Sequence, residues 1–207
     1  VGDYSPASIT GYNLWENYYK AIAHCTLVID NIHLDVEDNQ AVRDYMKAEA
    51  RLIRAFYYFC LFRTYGPVIV WGDQAAPSDV MGETLDRNTL EENINFIVSE
   101  LDKAIDVLPM SITEVGLQEG SDMGRATKGA AMALKSRVLL YAASPLYNGN
   151  TLYAGMINHY GKEIFPQNYD EKKWEDAKKA AKDLIDLEYY SLVQADQTTG
   201  DKFVDGI

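Results

Sequence analysis

Apolar residues recur every three or four positions in five stretches of the chain, a spacing that places them on one side of an α-helix. Stretch 41–65 is typical, with apolar or aromatic residues at positions 45, 48, 52, 55, 59 and 62. Gly66-Pro67 predicts its end, and Thr89 with Glu92 forms a capping-box pattern before the third stretch. The pattern predicts helices over about 14–31, 41–65, 90–108, 128–143 and 171–187.

The connections between the predicted helices differ in character. Residues 68–71 are apolar and fit either a short strand or an extended segment. Residues 72–88 and 110–125 are polar and contain glycine, which predicts loops. The longer stretch 146–169 mixes tyrosine with asparagine and glycine, and we expect little regular structure there.

The stretch 48–72 contains an unusually apolar run, which raises the question of a membrane span. A spanning helix needs roughly 20 apolar residues with few charges, whereas Arg51, Arg54 and Arg63 interrupt this run. The stretch therefore predicts a long helix that neighbouring helices bury on most sides. We expect Arg51 and Arg54 to pair with acidic groups on adjacent helices.

The helical pattern also repeats along the chain. KAEARLIRAFYYF, from Lys47, aligns with KGAAMALKSRVLL, from Lys128, and the helices that follow these two segments resemble each other. A recurring helix pair predicts an array in which each hairpin buries its apolar face on the next. We therefore expect a mainly α fold of tetratricopeptide-like helical-hairpin repeats with long irregular loops, forming one region over 1–207.

Composition and charge narrow the functional classes. The formal net charge is -12 over 207 residues, and such an acidic chain repels nucleic acid and anionic lipid surfaces. Cys25 and Cys60 fall in apolar helical patterns, so we expect two buried thiols rather than a disulfide. No signal peptide is recognisable after Val1, so we expect any targeting segment to have been removed or to lie outside this sequence.

Catalytic and metal-binding patterns are not recognisable in the sequence. The three histidines are scattered, and the zinc-binding, nucleophile-elbow and phosphate-loop motifs are missing. Pairs of acidic residues such as Asp102 and Asp106 are expected on solvated helix faces. Asp35, Glu37 and Asp38 would allow a loose cation site, although capping of the next helix is the favoured interpretation. We therefore predict no enzyme, no cofactor and no metal.

Two long motifs carry a resemblance to a known family. They are AEARLIRAFYYFCLFRTYGPVIV, from Ala48, and GRATKGAAMALKSRVLLYAASPLYNG, from Gly124. They resemble the SusD/RagB family of surface glycan-binding lipoproteins of Bacteroidota, and the resemblance extends over about 14–192. It implies four tetratricopeptide-like units that support a loop-rich region. It also implies a noncatalytic protein of the outer membrane, held by a lipidated N-terminal cysteine, which captures oligosaccharides for nutrient uptake and caps a TonB-dependent, SusC-like transporter.

The chain departs from the family pattern at both ends. No lipid-acceptor cysteine lies near Val1, and the sequence stops at Ile207, whereas family members commonly continue much further. We therefore expect an N-terminal portion of such a protein, truncated at both ends. In the family, much of the glycan site comes from the later, irregular part, so most of that site is expected outside this sequence.

Aromatic residues beside small polar side chains are the candidate glycan contacts. An aromatic face stacks on the apolar face of a sugar ring, while neighbouring polar groups bind its hydroxyls. One set follows the end of a helix and the other lies on a loop: Trp71, Asp73 and Gln74, and Tyr147, Asn148 and Tyr153. Core packing is nevertheless the favoured interpretation for both Trp71 and Tyr147, and glycan contact is the alternative. Packing is also expected for Trp15, Trp174, Tyr57 and Tyr58, which lie on apolar helix faces.

Glycan binding without catalysis is the function that these patterns favour. The alternative is a helical-repeat scaffold for protein–protein interactions without glycan binding in this segment, because such arrays bind partners through a concave face. A glycosidase ranks below both, since numerous acidic residues make carboxylate pairs easy to find by chance.

Overall fold

A computed structural model describes residues 14–34, 39–73, 85–118 and 120–192 of the chain. Most of these residues belong to five α-helices: α1 (Leu14–Asn31), α2 (Gln40–Tyr65), α3 (Leu90–Ile105), α4 (Lys128–Ala143) and α5 (Lys172–Ile185). Short 3-10 turns lie between them at Ile32–Leu34, Ile112–Val115 and Thr151–Tyr153. The described part of the chain contains no β-strand, and the predicted mainly α fold is confirmed.

Local capping explains where the central helices begin and end. Asn39 starts α2, because its side chain accepts the backbone N–H of Ala41 at 3.0 Å. Gly66 ends α2 with a φ of 74°, a conformation that glycine adopts without strain. Thr89 and Glu92 form the predicted capping box at the start of α3, each side chain accepting the other residue's backbone N–H.

Helices α3 and α5 end earlier than the sequence pattern predicts. Helix α3 ends at Ile105 rather than at position 108, because the chain tightens into a turn ahead of Pro109 and a proline disfavours helical geometry in the residue before it. Helix α5 ends at Ile185 rather than at position 187. Glu188 follows with a φ of 51°, the left-handed conformation that commonly closes a helix.

The helices pack in chain order, and α2 also contacts α4. The successive helix pairs therefore stack as the internal repeat predicted. Helix α2 lies at the centre of the core, where Ala55, Leu61 and Phe62 have no exposed surface. One side of α2 stays open, since Ile53 and Phe56 remain 37% and 46% exposed.

Residues 68–71 form an extended segment rather than a strand. The Asn93 side chain bonds both backbone groups of Val68, accepting its N–H at 3.0 Å and donating to its carbonyl at 3.1 Å. The Asn88 side chain accepts the Val70 N–H at 2.8 Å. Two asparagine side chains thus replace a partner strand, and they hold the segment that leads to Trp71 against the start of α3.

Some of the residues predicted to lie in the core are buried, and others are partly exposed. Cys25 and Cys60 are buried free thiols, as predicted, and burial raises the pKa of both. Tyr58 is buried as expected, while Tyr57 packs against the core with part of its surface exposed. The prediction for Trp174 is wrong, because 40% of this residue is exposed. Helix α5 packs on α4 and reaches α3 through the ion pair of Lys173 with Glu91, and these two neighbours leave Trp174 partly uncovered.

Two predictions fall outside the described residues. The acidic cluster Asp35, Glu37 and Asp38 is one, and the candidate glycan contact Gln74 is the other. The helix cap that was favoured for the acidic cluster is supplied by Asn39 instead.

Candidate functional site

Trp71 lies where the extended segment reaches the surface beside α1. Its backbone N–H donates to the Tyr58 hydroxyl at 3.0 Å, and its indole packs on the Tyr19 ring with centroids 4.4 Å apart. The Tyr19 hydroxyl donates to the Ile69 carbonyl at 2.7 Å. Helices α1 and α2 therefore hold Trp71 from two sides, and its position is set by the fold rather than by the loop that follows.

An apolar groove of about 320 Å³ opens along this tryptophan. Its aromatic walls come from Trp15, Tyr19 and Trp71, and the Trp15 and Tyr19 rings lie 5.1 Å apart. At its rim Glu16 and Lys20 form an ion pair of 2.6 Å. The groove thus presents aromatic surface beside charged groups, the combination that suits a sugar ring.

Asp73 is occupied by an ion pair. Its carboxylate accepts a hydrogen bond from the Arg54 guanidinium at 2.7 Å. This bond lowers the pKa of the Asp73 carboxyl, although its side chain is 67% exposed. Arg54 also donates to the Gly72 carbonyl at 3.2 Å. The geometry therefore suits Asp73 to holding residues 71–73 in place more than to contacting a ligand.

Arg54 belongs to a buried network between α2 and α3. Arg54 and Glu100 have no exposed surface, and the guanidinium bonds one Glu100 oxygen at 2.5 Å and 3.0 Å. Arg51 reaches Glu100 as well, at 2.8 Å and 3.0 Å, and Arg54 further donates to the Thr26 hydroxyl of α1 at 3.0 Å. Both arginines pair with an adjacent helix, as predicted.

Tyr147 and Asn148 are placed for packing. The buried Tyr147 ring lies 4.7 Å from the Phe62 ring, and burial raises the pKa of its hydroxyl. The buried Asn148 amide donates to the Asp170 carbonyl and accepts the Asp170 N–H, both at 2.8 Å. With its donor and acceptor both used inside the protein, Asn148 ties the 146–169 segment to the start of α5.

Tyr153 is the partly exposed tyrosine of a cleft that the buried Tyr147 also lines. Its ring stacks on Phe165 with centroids 4.4 Å apart. The cleft has a volume of about 340 Å³, and Arg63 and Arg87 also line it. Tyr153 therefore keeps the geometry that ligand contact would need.

The two candidate sets lie on neighbouring features rather than in one pocket. Trp15 connects them, because its ring contacts Tyr65 at 5.3 Å and lies beneath the Arg87 guanidinium at 5.9 Å. Tyr65 and Arg87 in turn line the cleft of Tyr153. Sequence reasoning missed Tyr19 and assigned Trp15 to the core. The available signal was their spacing of four residues, which places both rings on one side of α1.

The described residues were also examined for their capacity to hold a metal ion or to cross a membrane, and they show neither feature. They contain no group of three His, Cys, Asp or Glu side chains that could hold a metal ion. None of the helices described is both long enough and apolar enough to span a membrane.

Comparison with known proteins places the chain among SusD-like proteins. Residues 3–140 match the model of a SusD-like family described as "Starch-binding associating with outer membrane". A SusD-like protein of Bacteroides ovatus is 33% identical over 155 residues, which is 72% of this chain and 26% of that protein.

Solved structures agree with this assignment. BT4246 superposes with a TM-score of 0.79 at 31% identity, over 90% of this chain and 32% of its own. A protein solved with a xylogluco-oligosaccharide gives a TM-score of 0.61 at 26% identity, over 88% of this chain and 30% of its own. The chain thus spans about a quarter to a third of the length of these relatives. From the family match and the identity to the Bacteroides ovatus protein, the chain belongs to the SusD/RagB family.

Proposed function

We propose that this chain is part of a noncatalytic cell-surface protein that binds glycans. The observation that carries the proposal is the groove in which Trp15, Tyr19 and Trp71 line one apolar surface. Aromatic faces bury the C–H surface of a sugar ring, and the charged rim offers partners to its hydroxyls. The family description and the relative solved with a xylogluco-oligosaccharide support a glycan as the ligand class.

The carboxylates around the groove support binding rather than hydrolysis. Glycoside hydrolysis needs two carboxyl groups on either side of the scissile bond. Among the described residues that line the groove, Glu16 is the one carboxylate, and it is paired with Lys20. Nearby Asp73 is paired with Arg54.

The biological setting is part of the same proposal. The family description names the outer membrane, and we place the full-length protein there, exposed at the surface through an N-terminal lipid anchor. Its partner is a TonB-dependent, SusC-like transporter that takes up the captured oligosaccharide. Co-purification of such a transporter with the tagged full-length protein tests this partnership, and its consistent absence would count against it.

Affinity electrophoresis against plant, host-mucin and microbial polysaccharides tests glycan binding. We expect at least one polysaccharide to retard the chain, and Trp71→Ala to abolish the retardation because the groove loses an aromatic wall. Trp174→Ala is the matched control, since Trp174 is partly exposed on α5 and does not line the groove. Circular dichroism establishes that both variants fold. Retardation by no polysaccharide, or equal loss in both variants, would overturn the proposal.

A protein-interaction scaffold is the second candidate, and a different surface favours it. Ile53 and Phe56 lie three residues apart on one side of α2, and both are exposed. If this surface serves a protein partner, Phe56→Ser reduces co-purification of the transporter while Trp71→Ala does not. The reverse result would assign the function to the groove alone.

A further inference from the structure

Some arginines of this acidic protein form ion pairs with carboxylates, and others do not. Its acidic residues outnumber its lysines and arginines by 31 to 19. Arg51, Arg54 and Arg125 each form ion pairs with carboxylates. Within the described ranges, no carboxylate lies within ion-pair distance of Arg63 or Arg87. A guanidinium group without an acidic partner is notable where carboxylates are in excess.

Both of these arginines line the cleft of Tyr153. Arg63 comes from the last turn of α2, and Arg87 comes from the segment that precedes α3. Residues distant in sequence thus bring two positive charges to one cleft of about 340 Å³. Its volume lies at the small end of the range for ligand pockets.

Arg87 is held rigidly with part of its guanidinium unused. Its Nη1 donates to the carbonyls of Tyr65, at 2.7 Å, and Pro67, at 3.2 Å, and its plane lies over the Trp15 ring. Among the described residues, neither Nε nor Nη2 of Arg87 has an acceptor. A fixed guanidinium with unused N–H groups is suited to bind a carboxylate, because little conformational freedom is lost on binding.

The neighbouring carboxylates do not neutralise the cleft. The described lining residues include no aspartate or glutamate. Asp86, next in sequence to Arg87, accepts the backbone N–H groups of Arg87 and His159, which lowers the pKa of its carboxyl. Glu92 pairs with Lys162. Asp86 also attracts Arg87 without forming an ion pair with it, and this is the weakest cause of its lowered pKa, so the cleft keeps a net positive charge from the two arginines.

We propose that this cleft binds an acidic sugar residue, a uronate, whose carboxylate contacts Arg63 and Arg87 while its ring packs on Tyr153. The proposal rests on the glycan-binding function proposed above and specifies its ligand as an acidic glycan. The aromatic wall favours a sugar ring over a bare anion, because a simple phosphate or sulfate ion gains nothing from the Tyr153 face.

Isothermal titration of the full chain with oligogalacturonate, and with its methyl ester, tests the proposal. The ester keeps the sugar ring and removes the charge. We expect the ester to bind about 10-fold or more weakly, and Arg63→Gln to weaken oligogalacturonate binding by about 10-fold or more, the usual effect of losing a hydrogen bond between charged groups. Arg137→Gln is the matched control, an exposed arginine that also lacks a described ion pair but does not line the cleft. It should leave the affinity unchanged.

The remaining outcomes of these titrations overturn either the uronate site alone or both proposals. Equal binding of acid and ester, or equal losses in the Arg63 and Arg137 variants, overturns the uronate site while glycan binding stands. Binding of dextran sulfate without oligogalacturonate overturns the carboxylate assignment. Neutral glycans that bind through Trp71 while oligogalacturonate does not bind also overturn it and leave the proposed function intact. Binding of no glycan at all overturns both proposals.

Discussion

Replacing Glu100 by glutamine should destabilise the fold strongly, because it leaves a buried arginine without its main counter-ion. Glu100 accepts hydrogen bonds from Arg51, Arg54 and Lys103, and it has no exposed surface. The substitution keeps the side-chain shape and removes the charge. Arg54 would then keep one ion pair, to the largely exposed Asp73.

The size of the effect follows from the burial of both partners. Breaking a buried ion pair by removing one partner costs about 3–5 kcal/mol. We expect Glu100→Gln to cost about 3 kcal/mol, the lower end, because Arg54 retains its bonds to Asp73 and Thr26. In a domain of this size, that loss lowers the melting temperature by about 6–12 °C.

Urea denaturation followed by far-UV circular dichroism measures the change in the free energy of unfolding. The denaturation midpoint should fall while the m-value stays constant. The double variant Arg54→Met/Glu100→Gln should lose at least about 1 kcal/mol less than the sum of the single variants, because it leaves no fully buried charge without a partner. Glu16→Gln, in the exposed pair with Lys20, is the control and should not move the midpoint.

Two results would refute this reasoning. One is a cost for Glu100→Gln below about 1 kcal/mol with an unchanged m-value, which would mean that the network contributes no more than a surface pair. The other is strict additivity in the double variant, which would mean that Arg54 and Glu100 do not depend on each other for stability.

Two further predictions concern the backbone and the pH dependence. Gly149→Ala should cost about 1–3 kcal/mol of unfolding free energy, and it should cost more than Gly161→Ala. Both glycines have a φ of 75°, but only a Cβ at Gly149 would clash, 2.8 Å from the Tyr169 nitrogen. Equal melting temperatures of the two variants would contradict this. Hydrogen bonds from Lys162 and from the cap of α3 lower the pKa of Glu92 to about 2 from its ordinary 4.5. The resulting stability is present above pH 4.5 and is lost as the pH falls to 2. Glu92→Gln should therefore flatten the dependence of the unfolding free energy on pH between pH 2 and 4.5. Parallel curves for the variant and the parent protein would argue against this.

Local patterns in the sequence were sufficient to predict the helices and to identify the family. The apolar spacing in 41–65 and the capping pair Thr89 and Glu92 are signals within a few residues, so they do not depend on the rest of the fold. The same holds for the stop at Gly66, whose backbone conformation favours glycine. The long motif from Ala48 identified the SusD/RagB family, which the comparisons confirm.

The composition of the candidate site was decided by tertiary packing. Sequence reasoning chose Trp71, but its companions Trp15 and Tyr19 come from another helix and join it because α1 packs on α2. The sequence predicted Asp73 as a glycan contact, yet Arg54 of the core pairs with its carboxylate.

The exposure of the Trp174 side chain was also decided by tertiary packing. Trp174 lies on an apolar stripe like those of the buried helices, and it stays partly exposed because the described neighbours of α5, namely α4 and the start of α3, do not cover it. Periodicity identifies which side of a helix is apolar, but it does not specify what covers that side. Coverage depends on contacts between residues far apart in sequence, and these are determined only when the helices pack.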